Sequence, residues 1–245
     1  MEEICKNWST WLRKTRFAYM SEEQITQTMN WLMAIRDTVI NMAEIKEGEK
    51  IADFGCGSGL LGFGVLEKYN SNVELIFSDK FQDCLDECKN ILSKSEDLYN
   101  VKFLQSDVLD IKLEKDYLDK AMTRSVLVHV KDKLSAFCEF YRVLKQGGYY
   151  CAFEPIISEN TKYYELTIPD NISDYEEFKK AESEFMSNSN DALVNFNAES
   201  LDKNLTEAGF SNVVVNVNIA TSKYIAQENA IRNWFITPPG PGQKT

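Results

Sequence analysis

The chain has 245 residues, 44% of them hydrophobic, and a formal net charge of -11 from 38 acidic against 27 basic side chains. That length can bury one full core as a single soluble domain. The charge argues against nucleic-acid and anionic-membrane partners, because phosphate-binding faces are basic and the one modest basic cluster is Arg13, Lys14 and Arg16.

In chain order, Trp8, Trp11, Leu12 and Phe17 suggest a short amphipathic helix within residues 1–18. Ser21-Glu22-Glu23-Gln24 is a capping box that opens a second helix to about Glu44. A strand is expected at 49–54, a helix at 58–69, a strand at 73–78, a helix at 81–95, and strands at 101–106 and 118–124. A helix over 132–145, with Leu134, Phe137, Tyr141 and Leu144 on one face, stops at Gly147-Gly148 and leads into a strand from Tyr149 to Glu154. A helix at 197–210 and a sixth strand from Val213 to Ala220 follow, and Thr237 to Gly242 reads as an exposed tail. Alternating strands and helices predict an α/β fold with a parallel, doubly wound sheet, whose ligands lie at the carboxyl ends of the strands near the switch point.

No apolar run reaches the 18 or so residues of a membrane span, and Lys, Arg and Trp stand where a signal peptide would have its apolar core. A cytoplasmic protein with no membrane partner is expected. Cys5, Cys56, Cys84, Cys88, Cys138 and Cys151 are scattered, without paired C-x-x-C spacing, and read as small, reduced, buried residues. With one histidine in the chain, a full metal-ligand set is hard to assemble, and no metal is expected.

Ile51-Ala52-Asp53-Phe54-Gly55-Cys56-Gly57-Ser58-Gly59-Leu60 places a buried strand, a glycine-rich connection and a helix start in ten residues. The glycines let a ligand approach the backbone, and the helix start offers N–H groups that favour a carboxylate or phosphate. Gly57 to Gly62 also spells the dinucleotide fingerprint G-x-G-x-x-G. Asp53 discriminates between the two ligand classes: a carboxylate at the strand tip repels a pyrophosphate and suits an ammonium or sulfonium group.

The pattern Asp53-x-Gly55-x-Gly57-x-Gly59 resembles the first motif of class I S-adenosylmethionine-dependent methyltransferases. The later strand ends are similar. Asp79 closes the second strand where a carboxylate can accept both hydrogen bonds of a ribose diol, a helix N-cap being its other reading. Lys80 and Phe81 could flank an adenine. Asp107 and Val108 follow the third strand, where the family places an acid near the adenine amino group and an apolar neighbour against the ring; a plain turn aspartate is the other reading. The resemblance implies cofactor binding by Asp53, Gly55, Cys56, Gly57, Gly59, Asp79, Lys80, Phe81, Asp107, Val108, Arg124, Ser125 and Tyr19. Arg124 could instead bind a substrate carboxylate or a structural acid.

The fourth strand and its sequel, Asp119 to Val130, lack the D/N-P-P-Y signature of enzymes that methylate exocyclic amines of bases or glutamine amides, and the Pro-Cys pair of base-carbon enzymes. The Ser/Leu/His-Val segment and Arg142-Val143-Leu144-Lys145-Gln146-Gly147-Gly148 resemble the small-molecule branch, including ubiquinone- and menaquinone-type methyltransferases. This implies a seven-stranded-type, Rossmann-like sheet, although the usual antiparallel seventh strand is not obvious in 222–236. It also implies one methyltransferase domain: a helical cap at 1–45, a cofactor-binding core at 46–155, a lid insertion at 156–195, a helix and strand part at 196–236, and a tail at 237–245.

Methyl transfer from a sulfonium is an in-line displacement, so positioning dominates and a general base is needed only where the acceptor must lose a proton. His129, beyond the fourth strand, is the first candidate for base or substrate orienter, and a cofactor contact or a packing residue is its alternative. Glu154, at the tip of the fifth strand, is the second. Trp8, Trp11, Tyr19 and Trp31, together with Tyr163, Tyr164, Tyr175, Phe178 and Phe185 of the insertion, predict an aromatic, electronegative lid over a neutral or cationic small molecule. On the other reading the acids face water and the aromatics pack the lid. A non-catalytic S-adenosylmethionine-binding module and an NAD(P)-dependent oxidoreductase are the alternative functions.

Overall fold

Helix α1 (Glu22–Met42) begins where its capping box closes: the Gln24 amide donates to Ser21 Oγ at 3.2 Å, and the Ser21 amide donates to Gln24 Oε1 at 2.9 Å. The computed structural model describes residues 20–165 and 174–218, together with positions 8, 10, 14, 15, 17 and 18. The expected helix at 1–18, and the strand and tail expected beyond residue 218, lie wholly or partly outside the described residues, as does Tyr19.

Five strands follow: β1 (Lys50–Phe54), β2 (Glu74–Asp79), β3 (Val101–Gln105), β4 (Leu118–Arg124) and β5 (Leu144–Phe153). They alternate with helices α2 (Leu60–Tyr69), α3 (Gln82–Leu92) and α4 (Lys133–Val143), and α5 (Tyr175–Met186) and α6 (Ala198–Glu207) complete the described elements. The sheet is parallel throughout, in the order β3-β2-β1-β4-β5, so the chain steps outward from β1 through β2 and β3 and returns on the other side of β1 at β4. The doubly wound α/β expectation holds, with five strands among the described residues.

The chain divides into two compact units. Among the described residues, the larger holds those up to Arg124 and Arg142–Phe153, and the smaller holds those within Ser125–Tyr141 and Glu154–Asn218. In the larger unit β1 is flanked on both sides and buried on both faces, which is why it reads as a continuous apolar run. Phe63 of α2 meets Phe77 of β2 at 5.2 Å between ring centres, and Phe77 stacks on Phe103 of β3 at 5.5 Å.

The Arg142 to Gly148 motif has a structural job. Arg142 donates to the carbonyls of Leu113 and Ile111, each at 2.8 Å, and Lys145 Nζ meets both oxygens of Asp119 at 2.7 and 2.9 Å. Asp119 also accepts the Lys50 N–H at 2.8 Å, tying β1, β4 and β5 together at one end. The strand expected from Tyr149 begins five residues earlier because Leu144 pairs with Leu118 before the register shifts to Lys120 opposite Tyr149. Gly148 belongs in that irregularity, since a Cβ there would lie 2.9 Å from the Lys145 carbonyl and 3.0 Å from that of Asp119. Burial raises the Asp119 carboxyl, but Lys145 and the Lys50 amide outweigh it and leave the group below the usual carboxylate range. Asp119→Ala should cost about 1–3 kcal/mol in urea denaturation at pH 7. Because the folded-state value is depressed, this contribution is present at neutral pH and shrinks as pH falls through it.

Three expectations are corrected. The buried face of α4 comprises Ala136, Phe137, Phe140 and Val143, whereas Tyr141 is 50% exposed and meets Phe210 edge-on at 5.3 Å. Residues 213–218 form no strand: Val214, Val215 and Val217 are exposed, Val214 at 70%, and β-branched side chains favour a strand only where a neighbouring strand pairs with them. Cys138 is exposed on α4, whereas Cys56, Cys84, Cys88 and Cys151 are buried thiols. No helix among the described residues is long and apolar enough to cross a membrane.

Candidate functional site

Asp53 stands at the penultimate position of β1, the strand at which the order of the sheet reverses. A buried acid there needs donors, and the helix that follows has some to spare: Gly59 sits at the N-cap of α2 with φ 85° and no side chain to cap the first turn. Asp53 does the capping from the strand, its Oδ2 accepting the Gly62 N–H at 2.9 Å. Gly55, Gly57 and Gly59 all have positive φ, and a Cβ on Gly57 would meet nothing within 4 Å. The loop therefore has open space before it.

Asp79, 7% exposed, bridges two loops: its Oδ2 accepts the Gly57 N–H at 2.9 Å and its Oδ1 the Phe81 N–H at 3.0 Å. The N-cap of α3 is Phe81, so the capping reading of Asp79 gives way to this bridge. Lys80 reaches from the same loop to Asp107 Oδ2 at 2.8 Å, while Asp107 Oδ1 accepts the Leu109 N–H at 3.0 Å. Burial raises the Asp107 carboxyl, but Lys80 and that amide leave it below the usual range. Val108 is buried beside it and Phe81 is 37% exposed.

Electrostatically, Asp53 is the outlier. Burial pushes its carboxyl up to about 7, the Gly62 amide pulls it down, and the charge of Asp79 adds to the rise. No cation among the described residues pairs with either acid. The Cys56 thiol is likewise pushed well above its ordinary value, by its hydrogen bond to Cys88 and by burial. Cys88, whose Sγ is 3.4 Å from the Gly57 carbonyl, was not legible as a neighbour of the loop, because only the packing of α3 brings it there. Two buried acids facing a glycine loop, with no counter-ion among the described residues, suit a ligand that brings its own positive charge. S-adenosylmethionine, with its sulfonium and ammonium groups, fits that donor set. A pyrophosphate does not.

At the end of β4, the Arg124 guanidinium carbon lies 5.7 Å from the centre of the Trp31 ring, and Trp31 meets Phe153, the last residue of β5, edge-on at 6.2 Å. The sequence passes into the smaller unit immediately after both strands, at Ser125 and Glu154. There Ser125 has φ 55°, and Glu154 accepts the N–H groups of Val126 at 3.1 Å and Leu127 at 3.0 Å. A 3-10 turn over Leu127–His129 follows, in which His129 is exposed while Leu127, Val128 and Val130 are buried. Among the described residues no cluster of metal-ligating side chains occurs.

Residues 45–209 match the family model described as a methyltransferase domain. The chain belongs to that family. This methyltransferase domain is 30% identical to an uncharacterized methyltransferase of Schizosaccharomyces pombe over 138 residues, 54% of this chain and 49% of that one. It is 27% identical to a sterol 24-C-methyltransferase of Pneumocystis carinii over 60% of this chain and 37% of the relative. The chain thus spans half or less of the length of both. In fold it resembles phosphoethanolamine N-methyltransferase 2 of Haemonchus contortus, a structure in complex with S-adenosyl-L-methionine. The TM-score is 0.57 with 17% identity, over 84% of this chain and 44% of that one. Fold and family together make it a class I S-adenosylmethionine-dependent methyltransferase domain, with five parallel strands among the described residues.

Proposed function

We propose that the protein transfers a methyl group from S-adenosylmethionine to an O, N or C atom of a small molecule. The observation that carries this reading is the pair of buried acids, Asp53 and Asp79, around a positive-φ glycine loop at the switch point of the sheet. When bound, the cofactor supplies an electrophilic methyl on a sulfonium. The chain holds it: Asp53 and the Gly55–Gly59 loop, with Cys56, take the amino-acid end, Asp79 the ribose, and Lys80, Phe81, Asp107 and Val108 the adenine. Arg124 and Ser125 complete the assignment at the end of β4, and Tyr19 belongs to it by resemblance. A sterol methyltransferase among the relatives, and the missing base- and amide-methylating signatures, support a small acceptor.

Alignment of acceptor, methyl and sulfur can supply as much as roughly 7–11 kcal/mol of the barrier. His129, exposed at its turn, serves as base or orienter where the acceptor must lose a proton. The insertion at 156–195, with its exposed Tyr163, selects the acceptor. A single domain acting in the cytoplasm, without nucleic-acid or membrane partners, completes the proposal.

Calorimetry with S-adenosylmethionine, and transfer of labelled methyl from it into a metabolite extract, test the reading. Binding with turnover supports it, binding without turnover points to a non-catalytic module, and no binding overturns it. Asp79→Ala should weaken S-adenosylmethionine about 10- to 100-fold, the loss expected of a charged hydrogen-bond acceptor.

A further inference from the structure

The smaller unit contains a buried cation with a specific cage. Lys133, the first residue of α4, is 4% exposed, and its ammonium donates to the Val130 carbonyl at 2.9 Å, the Ala192 carbonyl at 3.0 Å and Asn195 Oδ1. Three N–H donors thus meet three acceptors, and the ring of Phe196 lies 4.3 Å from the nitrogen. Asn195 returns a hydrogen bond to the Lys131 carbonyl at 2.9 Å, and Ser158 Oγ donates to the Phe196 carbonyl at 2.6 Å. A lysine at a helix start ordinarily faces water, so this burial has to be supported by its surroundings.

The cage sits at one end of the turn that carries His129, and Glu154 sits at the other. Its two carboxylate oxygens take the amides that open the turn, Val126 and Leu127, while Lys133 takes the carbonyl that closes it, Val130. Between the two grips the backbone is tied by His129 N–H to the Val126 carbonyl at 2.9 Å and Val130 N–H to the Leu127 carbonyl at 3.0 Å. Val126, Leu127, Val128 and Val130 are all buried, and His129 alone of residues 126–130 is exposed. Every feature around it fixes the backbone from which one imidazole projects.

We propose that Glu154 and Lys133 are positioning residues that clamp the His129 turn from its two ends, with Asn195 tying the chain after α5 into the same clamp. This rests on the reading of His129 as the acceptor-side residue, and it reassigns Glu154 from a proton-transfer candidate to a holder of the backbone. Burial pulls the Lys133 ammonium down to about 8 while the charge of Glu154 pulls it up, so each grip electrostatically supports the other.

Because the chain has one histidine, the imidazole Cε1–H correlation of carbon-13-labelled, untagged protein reports His129 without overlap from any other histidine. The test compares relaxation dispersion and titration of that resonance in wild type, Glu154→Gln, Lys133→Met and Asn195→Ala, with Glu154→Asp as the milder variant should one fail to fold. A clamp predicts that all of them increase the microsecond-to-millisecond exchange contribution, while amide spectra remain folded. Charge alone would instead shift the Glu154→Gln and Lys133→Met titrations in opposite directions and leave Asn195→Ala and the exchange contribution as in wild type. That outcome overturns the proposal. S-adenosylmethionine calorimetry on the wild type tests the functional reading separately, since the resonance requires no cofactor.

Discussion

Affinity for S-adenosylmethionine is expected to rise about tenfold between pH 6 and pH 7.5, and Asp53→Asn to abolish most of that rise. The Asp53 carboxyl is 2% exposed, holds one amide hydrogen bond and stands near a second acid, so its folded-state value lies at about 7. Below that value the group is mostly neutral, and a cationic ligand must first displace the proton. Above it the carboxylate stands ready and the dependence flattens. Calorimetry in buffers of different ionisation enthalpy should show proton release near pH 6. Asp53→Asn keeps an oxygen for the Gly62 amide but loses the charge, so binding should weaken about 10- to 100-fold and become nearly independent of pH. A pH-flat wild type would contradict the reading.

The same carboxyl acts on stability with the opposite sign. Its folded-state value lies above the ordinary 3.8, so the ligand-free fold binds the proton more tightly than the unfolded chain does. The stabilisation is fully present below about pH 4 and is lost as pH rises through 7, up to about 4 kcal/mol in all. Asp53→Asn should therefore melt at a higher temperature than wild type at pH 8 when no ligand is present. A variant more stable yet poorer at binding is the mark of a site that keeps an uncompensated charge for its ligand.

How much of this could be read from residues alone depended on the range of the forces involved. The β1, glycine loop and α2 sequence was legible because strand burial, positive φ and helix initiation act within ten residues of Asp53. The capping box at Ser21 was legible for the same reason. Asp79 was placed at the right strand end, but its grip on the Gly57 amide depends on β1 and β2 pairing side by side, which periodicity does not report. Lys133 was missed because a lysine at a helix start looks solvated, and its three acceptors come from as far as Asn195. On α4 the spacing points about one position off the buried face: Tyr141 looks like core, yet Phe140 is the residue that is buried. The valines near 214 spelled a strand without specifying a partner to pair with.

Gly62→Ala should destabilise the fold by about 3 kcal/mol or more, although alanine is by itself the better helix former by roughly 1 kcal/mol. A Cβ at that position would lie 2.1 Å from Phe77 Cε1 and 2.6 Å from its Cζ. The ring has nowhere to go, since Phe77 is fully buried between Phe63 and Phe103. The strain would pass to the Gly62 N–H and so to Asp53, weakening S-adenosylmethionine as well. Gly64→Ala is the control one half-turn on. Its Cβ would meet Arg36 Cδ at 2.5 Å and Ile40 Cδ1 at 2.7 Å. Arg36 is paired with Asp37 and Glu67, each at 2.7 Å, but its aliphatic stem borders a cavity of about 330 Å³ lined also by Asn41 and Lys68 and can shift toward it, whereas Ile40 is buried and has less room. The helix-propensity gain then offsets part of the clash, and the net cost should stay below that at Gly62, at about 1–2 kcal/mol. Urea denaturation of both variants checks the order, and Phe77→Leu combined with Gly62→Ala should recover part of the loss by giving the new methyl room. Equal costs at the two glycines would mean that the close approach of α2 to β2 does not constrain the loop, and with it the placement of Asp53.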